Sequence, residues 1–432
     1  MQNLLKKNWK KIIPFCCVLF LSLPLAGNET QEDPLRKKAE SGDAKAQFEL
    51  GNEYFYGSEK RKSNPDLAVF WYRKAAAKNL PEAQLNYAIC LERGIGCEPD
   101  LQAALDYYTF AAEEGLIPAK VNLALLLLHG CTEVNGKKLP EKKQLKPQVE
   151  RAKLHLEELS AQKIPAAMVE LAAVLLEPRS KPDEATQKKG FLLLKNAADL
   201  PGRTPKGLRM LADCYYGGFG VMRDPAQTVK YLELAVKQND GESMAKLAYF
   251  YETGEVVAQD KKKAFSLFKA AAEKGVALAQ CKYAEYIVQE YEPGKGLLHA
   301  VEWLQKSAAQ DCPQALHQLG MYALQGLGLD APDKVRAAEL FFAAAKLGYP
   351  QSQYNLACMM YSGDGIPQND SKAFYWFYQA AKRGHAVSMR RIAQCHYDGR
   401  GCEKDNNKAL EWLKAAARAG DFTAQQMLRR RR

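Results

Sequence analysis

The side chains that most often carry chemistry are scattered through this 432-residue sequence without the spacing of a known catalytic set. Its six histidines lie at positions 129, 155, 299, 317, 385 and 396. No Gly-x-Ser-x-Gly nucleophile motif occurs. Acid pairs such as Glu113-Glu114 and Glu157-Glu158 fall at expected helix ends and exposed faces, which favours solvated carboxylates over acid–base catalysis. We therefore predict a non-enzyme with no catalytic residues, no cofactor and no metal.

Gly-x-Gly turns recur along the chain, as at Gly363-Asp364-Gly365 and Gly399-Arg400-Gly401. Such turns bind phosphate when they follow a strand and open a helix. Here the preceding residues have the i, i+3, i+4 apolar spacing of a helix, as at Leu356, Met359 and Met360. The glycines are therefore predicted to supply positive φ in a helix–helix connection.

This pattern returns about every 36 residues, with a first helix, a Gly-x-Gly turn and a second helix that ends in Ala-Ala-x-x-Gly. The aligned segments start at Ala46, Ala83, Ala119, Ala167, Gly207, Ser243, Ala279, Ala315, Ser352, Ser388 and Ala424. A fixed period of this length indicates one supersecondary unit stacked on copies of itself. Left-handed C-caps of second helices are expected at Gly115, Gly275, Gly348, Gly384 and Gly420.

These residues resemble the Sel1-like repeat, a relative of the tetratricopeptide repeat. The residues that match its pattern are Leu50, Gly51, Tyr54, Gly57, Asp66, Ala68, Trp71, Tyr72, Lys74, Ala75 and Ala76. The resemblance implies an all-α fold, a right-handed α-α superhelix of about ten helix-turn-helix repeats, and a role in protein–protein interaction. His396 occupies the position where the family has Tyr, so we expect it to pack and bond locally.

The predicted organisation has a signal peptide at residues 1–27, a polar leader at 28–45, a solenoid at 46–420, and a capping helix with a basic Arg tail at 424–432. The repeats are predicted near 46–82, 83–118, 119–166, 167–206, 207–242, 243–278, 279–314, 315–351, 352–387 and 388–423. The third repeat carries a Lys-rich insertion from Cys131 to Val149, and the fourth lacks the Gly-x-Gly turn between Glu177 and Asp183. Both departures are predicted to be surface loops.

The N-terminus has four lysines, then an apolar run over residues 12–25 that ends in Ala26-Gly27. This pattern is typical of a secretory signal peptide, since the run is short for a membrane span. We expect export across the inner membrane, to the periplasm or the medium. The alternative is an uncleaved anchor formed by residues 12–26, and only that form would contact the membrane.

The net charge of +11 overstates how basic the folded part is. Residues 1–26 hold four lysines and no acid, so the remainder carries +7, and four of those charges are Arg429 to Arg432. A folded part near +3 does not favour nucleic-acid binding.

Cysteine positions suggest two disulfides within repeats. Cys90 and Cys395 occupy one repeat position, and Cys97 and Cys402 occupy another, seven residues later. We predict Cys90–Cys97 and Cys395–Cys402 bridges, with buried apolar thiols as the open alternative.

A helical wheel separates core positions from outward ones on the first helices. The aromatic and Met stripe at Phe250, Tyr286, Tyr322 and Met359 points inward and is predicted to be core. Apolar residues at outward positions are candidate partner-binding anchors. These anchors are Phe55, Tyr56, Tyr216, Tyr249, Met321, Tyr361 and Tyr397.

The sequence thus favours a scaffold or adaptor of the bacterial cell envelope, or a secreted one. We expect it to bind a peptide or helix of a partner protein in a groove lined by the first helices. Two alternatives stay open. One is a secreted enzyme like the β-lactamase-like Sel1-repeat proteins, although no Ser-x-x-Lys with Lys-Thr-Gly set occurs. The other is a module that binds peptidoglycan or another glycan.

Overall fold

The computed structural model describes residues 33–290, 295–328 and 331–429. The predicted signal peptide, the start of the leader and the last three residues of the Arg tail lie outside these ranges. Almost all of the regular secondary structure in the described part of the chain is α-helical. After a short helix α1 (Pro34–Glu40), the helices follow one another as ten pairs and a final helix, which confirms the predicted all-α repeat fold.

Each pair has a first helix and a second helix, mostly of 13 residues. The first helices are α2 Ala44–Tyr56, α4 Pro81–Arg93, α6 Ile117–His129, α8 Pro165–Leu175, α10 Pro205–Gly217, α12 Gly241–Thr253, α14 Ala277–Glu290, α16 Pro313–Gln325, α18 Pro350–Ser362 and α20 Ala386–Asp398. The second helices are α3 Pro65–Ala76, α5 Leu101–Glu113, α7 Val149–Ala161, α9 Glu184–Asp199, α11 Pro225–Lys237, α13 Lys261–Glu273, α15 Lys295–Ala308, α17 Lys334–Lys346, α19 Asp370–Lys382 and α21 Asn406–Arg418. Helix α22 (Phe422–Arg429) follows the last pair.

Local sequence explains where these helices begin and end. Most second helices start after an Asp or Asn whose side chain accepts a hydrogen bond from the first turn, as Asn369 does from the Lys372 amide at 2.9 Å. Proline opens several first helices, where its missing N–H costs nothing. The five predicted left-handed glycines all have positive φ, for example +87° at Gly384 and +94° at Gly420. These stop signals confine each helix to about three and a half turns.

Small residues let the two helices of a pair approach closely. A Cβ built on Gly51 would lie 2.7 Å from the Tyr72 ring, and one on Gly320 would lie 2.7 Å from the Phe341 ring. Both rings are fully buried. Glycine therefore opens space for a large aromatic residue of the partner helix.

The second glycine of the Gly-x-Gly turn contacts the preceding repeat. A Cβ on Gly401 would lie 2.2 Å from the carbonyl oxygen of Asp370, in the first turn of α19. Gly96 approaches Pro65 and Gly220 approaches Gln187 in the same way. These turns pack backbone against backbone between neighbouring repeats, in addition to providing positive φ.

The insertion in the third repeat is a small folded element rather than the plain surface loop predicted from sequence. Strands β1 (Glu133–Val134) and β2 (Lys137–Lys138) pair antiparallel, with Val134 opposite Lys137. A 3₁₀ turn follows at Glu141–Lys143. The insertion is anchored because Val134, Leu139 and Leu145 are buried in the core formed by helices α4 to α8. In the fourth repeat, a 3₁₀ turn at Pro178–Ser180 replaces the Gly-x-Gly turn.

The chain divides into two compact units, Met1–Tyr231 and Leu232–Arg432, with the boundary inside α11. The N-terminal unit has a continuous core around Tyr108, Leu127 and Leu156. The C-terminal unit buries Phe268 and Phe341, which lie on second helices two repeats apart. Across the described residues, we find no helix that combines the length and apolar character needed to span a membrane.

Candidate interaction surface

The residues with catalytic potential are placed in structural roles. His396 is buried, and its Nδ1 lies 3.2 Å from the carbonyl oxygen of Glu403, so the predicted local packing and bonding is confirmed. His317 Nδ1 lies 2.9 Å from the hydroxyl of Ser352, and His385 Nδ1 lies 2.8 Å from that of Ser388. Both serines are fully buried, so no substrate can reach either hydroxyl.

The acid pair Glu157-Glu158 forms ion pairs between helices. Glu157 lies 3.3 Å from Lys189 Nζ, and Glu158 lies 3.0 Å from Lys120 Nζ. The hydrogen bond from Lys120 lowers the pKa of Glu158, which is the wrong direction for a general acid. In the part of the chain that the structure covers, no group of three or more His, Cys, Asp or Glu side chains could hold a metal ion.

The predicted disulfides are not present in the structure, where all nine described cysteines are free thiols. The Cys97 thiol donates to the carbonyl oxygen of Cys90 at 3.6 Å. Cys402 Sγ lies 3.5 Å from His396 Nδ1. Cys90 and Cys395 are buried apolar thiols, the alternative that the sequence left open.

The seven predicted anchors fall into two groups. Tyr56, Tyr249 and Tyr397 are about half exposed. The other four, Phe55, Tyr216, Met321 and Tyr361, are half-buried. Three of the seven predicted anchors are therefore exposed tyrosines, and they are spread over the two units.

The half-buried anchors are held by neighbouring side chains. The Arg400 guanidinium lies 3.6 Å from the centre of the Tyr361 ring and is fixed by Asp370 at 2.7 Å. Burial raises the pKa of Tyr361. Met321 Sδ accepts a hydrogen bond from the Asn355 amide at 3.4 Å. These contacts indicate that the half-buried anchors stabilise the fold.

A denser set of exposed rings lies on the second helices of the last three repeats. This set, here called the aromatic row, consists of Phe342, Tyr375, Trp376, Tyr378 and Trp412. Phe342 is 42% exposed, Tyr375 53% and Tyr378 37%. The Phe342 and Trp376 ring centres are 6.1 Å apart across α17 and α19. Those of Tyr378 and Trp412 are 5.9 Å apart across α19 and α21, so the rings link three helices.

Lysines border the aromatic row. Lys346 Nζ lies 4.9 Å from the centre of the Phe342 ring, and Lys382 Nζ lies 5.6 Å from that of Tyr378. Neither lysine forms an ion pair with any residue that the structure describes. Helices α17, α19 and α21 together carry eight Lys or Arg and three Asp or Glu. The row is thus an apolar surface in a positive field.

Sequence reasoning missed the aromatic row because it looked for outward apolar residues on the first helices only, whereas the row lies on second helices. Trp71 and Phe341 do occupy buried positions, but Trp376 and Trp412 are only half-buried. Trp376 packs on Phe342, and Trp412 packs on Tyr378. In each pair, the partner lies on the second helix of the preceding repeat. An aromatic residue 34 positions before a second-helix Trp is the signal that could have identified the row.

Tandem helix pairs joined by Gly-x-Gly turns define a helical-repeat protein of the solenoid class. The profile of the Sel1 repeat matches about two thirds of the chain, and the chain belongs to the Sel1 repeat family. The matched segments are 44–80, 81–116, 205–240, 241–276, 277–312, 313–349, 350–385 and 386–421. Between them, residues 117–204 hold the two repeats that depart from the pattern.

Characterised relatives include two fungal regulators. The chain is 30% identical over 296 residues to the chitin synthase regulator SKT5 of Saccharomyces cerevisiae, which covers 66% of this chain and 40% of that protein. This chain is also 28% identical over 259 residues to chitin synthase regulatory factor 3 of Schizosaccharomyces pombe, a match that covers 59% of this chain and 26% of that protein. The chain spans less than half the length of either relative.

A solved structure with a similar fold is c5321, a protective antigen of uropathogenic Escherichia coli that displays an SLR fold. The match has 24% identity and a TM-score of 0.49, and it covers 91% of this chain and 88% of that one.

Proposed function

We propose that this chain is a non-enzymatic scaffold that binds a segment of another protein on the aromatic row. The segment is an extended peptide or a helix that presents acidic residues among apolar ones. The observation that carries this proposal is the linked, exposed set of rings on three consecutive second helices. Related proteins named as regulators of chitin synthase support a role exerted through another protein.

Exposed aromatic rings favour such a partner for energetic reasons. Aromatic residues are enriched where proteins bind one another, because a rigid ring buries much surface at little conformational cost. Phe342, Tyr375 and Tyr378 lie on neighbouring helices, so one bound segment can cover all three.

Charge defines the chemistry of the partner. Lys346 and Lys382 lie beside the exposed rings, and neither forms an ion pair with a carboxylate among the residues that the structure describes. An acidic residue next to an apolar one would pair with the ammonium group while its neighbour covers the ring. A basic segment would be repelled.

The face used for binding is therefore proposed to differ from the first-helix groove expected from the sequence. Selection of peptides from a random display library against the full chain tests which of these two faces binds the partner. We expect enrichment of peptides that combine Asp or Glu with Leu, Phe or Trp. Substitution of Tyr375 and Tyr378 by Ala should weaken their binding by about tenfold or more.

Two charge-reversal variants distinguish an effect of lysines at the aromatic row from an effect of net charge alone. The K346E/K382E variant should lose binding, whereas K261E/K262E, which changes the net charge equally on exposed lysines of α13, should not. The proposal is wrong if the row variants bind normally and substitution of Tyr249 and Tyr397 abolishes binding. That result would indicate that the partner binds the first-helix surface instead.

We further propose that the scaffold acts outside the inner membrane, in the periplasm or the medium. The N-terminal lysines and the following apolar run support this location. Mass spectrometry of the protein from fractionated cells tests it, with a mature chain lacking 27 residues as the expected product. A full-length chain in the membrane fraction would support the anchored form, and one in the cytosol would contradict export.

A further inference from the structure

The aromatic row contains one three-residue arrangement twice, in consecutive repeats. In the first copy, here called subsite 1, the ring of Phe342 on α17 packs edge-on against that of Trp376 on α19. The ring planes are inclined by 85°, and the ring centres lie 6.1 Å apart. Lys346, one turn after Phe342, places its Nζ 4.9 Å from the centre of the Phe342 ring. Subsite 1 is thus completed by a residue of the next repeat.

Subsite 2 has the same arrangement one repeat later. The Tyr378 and Trp412 ring centres lie 5.9 Å apart, with the ring planes inclined by 74°. Lys382 Nζ lies 5.6 Å from the centre of the Tyr378 ring. Each of these residues follows its counterpart in subsite 1 by 36 positions. No other Trp in the sequence has an aromatic residue 34 positions before it, so the arrangement is specific to these repeats.

The repeat fold does not require the rings of Phe342 and Tyr378. In the two preceding repeats, Lys269 and Gln305 occupy the same position, five residues after a fully buried alanine, and both are exposed. The fold therefore accepts polar side chains there, and an exposed ring adds little to folding stability. Aromatic residues are instead enriched where proteins bind one another. A binding role explains why the ring occurs in two consecutive repeats.

Each subsite also offers two hydrogen-bond donors to a ligand. Among the residues that the structure describes, neither Trp376 nor Trp412 donates its indole N–H to another group, and neither nitrogen is buried. Lys346 and Lys382 likewise form no ion pair in this part of the chain. A carboxylate has two oxygens that accept such donors, and an ammonium is its strongest partner. Each subsite therefore matches an apolar side chain that has a carboxylate next to it.

We infer that the partner segment carries two copies of an apolar–acidic pair and that each copy occupies one subsite. This inference rests on the proposed function, because it specifies how the segment occupies the aromatic row. In each copy, the apolar side chain covers the ring of Phe342 or Tyr378. The adjacent carboxylate accepts from the ammonium group of Lys346 or Lys382.

The relation between the subsites fixes the order of the two copies. Both subsites have the same direction along the chain, since each consists of a ring, a Lys one turn later and a Trp of the next repeat. The partner's pairs must therefore follow one another in the same N-to-C order, as a tandem repeat. Joining two weakly bound pairs makes the second binding step intramolecular, which raises the overall affinity by a factor of about 10²–10⁴.

Tyr375 makes the two subsites unequal. This tyrosine is 53% exposed, and its ring centre lies 5.1 Å from that of Trp376 in subsite 1. The equivalent residue next to Trp412 in subsite 2 is the exposed Glu411. Subsite 1 thus offers more aromatic surface, whereas a carboxylate beside subsite 2 disfavours an acidic ligand. We expect subsite 1 to bind a given apolar–acidic pair more tightly, by up to about tenfold.

Fluorine NMR of the full chain labelled with 5-fluorotryptophan tests the inference, with single Trp→Phe variants to assign the two resonances. The probe is the peptide Gly-Ser-Glu-Leu-Ser-Gly, which carries one acidic–apolar pair. We expect the Trp376 and Trp412 resonances both to shift and to saturate. Phe342→Ala should remove the response of Trp376 alone, and Tyr378→Ala that of Trp412 alone. A control peptide with Lys in place of Glu should shift neither resonance.

A second probe carries two Glu-Leu pairs in tandem, joined by Gly-Ser linkers of stepped length. At the best length, it should half-saturate both resonances at a roughly hundredfold lower concentration than the single-pair peptide. Reversing the second pair to Leu-Glu should remove most of this gain. The circular dichroism of each variant is compared with that of the unsubstituted chain to confirm folding.

The outcomes separate this inference from the proposed function. A shift of only one Trp resonance, or loss of both responses in Phe342→Ala, would overturn the two subsites and leave a single binding site on the row. A tandem peptide that binds no more tightly than the single-pair peptide at any linker length would also overturn them. If the tandem peptide shifts neither resonance, the proposed function itself is contradicted.

Discussion

Gly401→Ala tests the role assigned to the Gly-x-Gly turn. Gly401 has a φ of +76°, and its missing Cβ would lie 2.2 Å from the Asp370 carbonyl oxygen and 3.1 Å from Phe374 Cβ. Alanine there has two costs. The left-handed backbone costs roughly 1–2 kcal/mol. Displacing the first turn of α19 adds about 1–3 kcal/mol of overpacking.

Gly384→Ala is the matched control. Gly384 has a φ of +87°, follows the same helix α19, and has nothing within 4 Å of its missing Cβ. Only the backbone cost applies there, roughly 1–2 kcal/mol. The two variants therefore differ by the inter-repeat contact alone.

Hydrogen exchange of α19 to α21 is the assay, because repeats open locally rather than as one transition. At about 1.4 kcal/mol per tenfold, Gly384→Ala should accelerate exchange about tenfold, and Gly401→Ala by a further tenfold to hundredfold. Equal acceleration in both variants would refute the backbone contact between repeats. No acceleration in either would refute the need for glycine at both positions.

Three further predictions concern the C-terminal unit. Phe341→Ala removes a fully buried ring and should lower the free energy of unfolding, measured in urea, by about 3–5 kcal/mol. Phe342→Ala, on the exposed aromatic row, should lower it by under about 1 kcal/mol. Equal losses would contradict the assignment of Phe341 to the core and Phe342 to the surface. The Asp421 carboxylate caps α22 and accepts a hydrogen bond from the Arg390 guanidinium at 3.0 Å. Asp421→Ala should therefore lower the local stability of α22 by about 2 kcal/mol, measured as faster backbone amide exchange in that helix. Unchanged exchange would contradict the role of this cap. Burial lowers the pKa of His317, so the folded state binds this proton less readily than the unfolded chain does. Stability should hold above about pH 6.5 and fall as the pH drops through the lower folded pKa, and His317→Gln should flatten that decline in unfolding measured at about pH 7.5 and 5.5.

Features set by local sequence were predictable. Residue spacing within one repeat determines the helix pairs, the glycines that end the second helices, and the inward-facing aromatic and Met stripe of the first helices. Phe250, Tyr286 and Met359 are buried as predicted, and Tyr322 is half-buried. The first helices start two residues before the predicted repeat boundaries because the N-terminal turn, often opened by Pro, precedes the first small residue.

Features set by contacts between repeats were not predictable in the same way. The hairpin at residues 133–138 has two residues per strand, too few to show alternation, and it is held by burial of Val134 and Leu139. The aromatic row depends on pairs 34 residues apart, which differs from the 36-residue period.

Site-specific photo-crosslinking in the native host tests the central claim most directly. A photoreactive phenylalanine analogue would replace Tyr375 on the aromatic row or, in a matched chain, the similarly exposed Tyr249 on α12. We predict a discrete adduct from position 375 that maps to an acidic, apolar segment of one protein and disappears in the K346E/K382E background. An adduct from position 249 alone, or one at 375 that persists after charge reversal, would contradict the account.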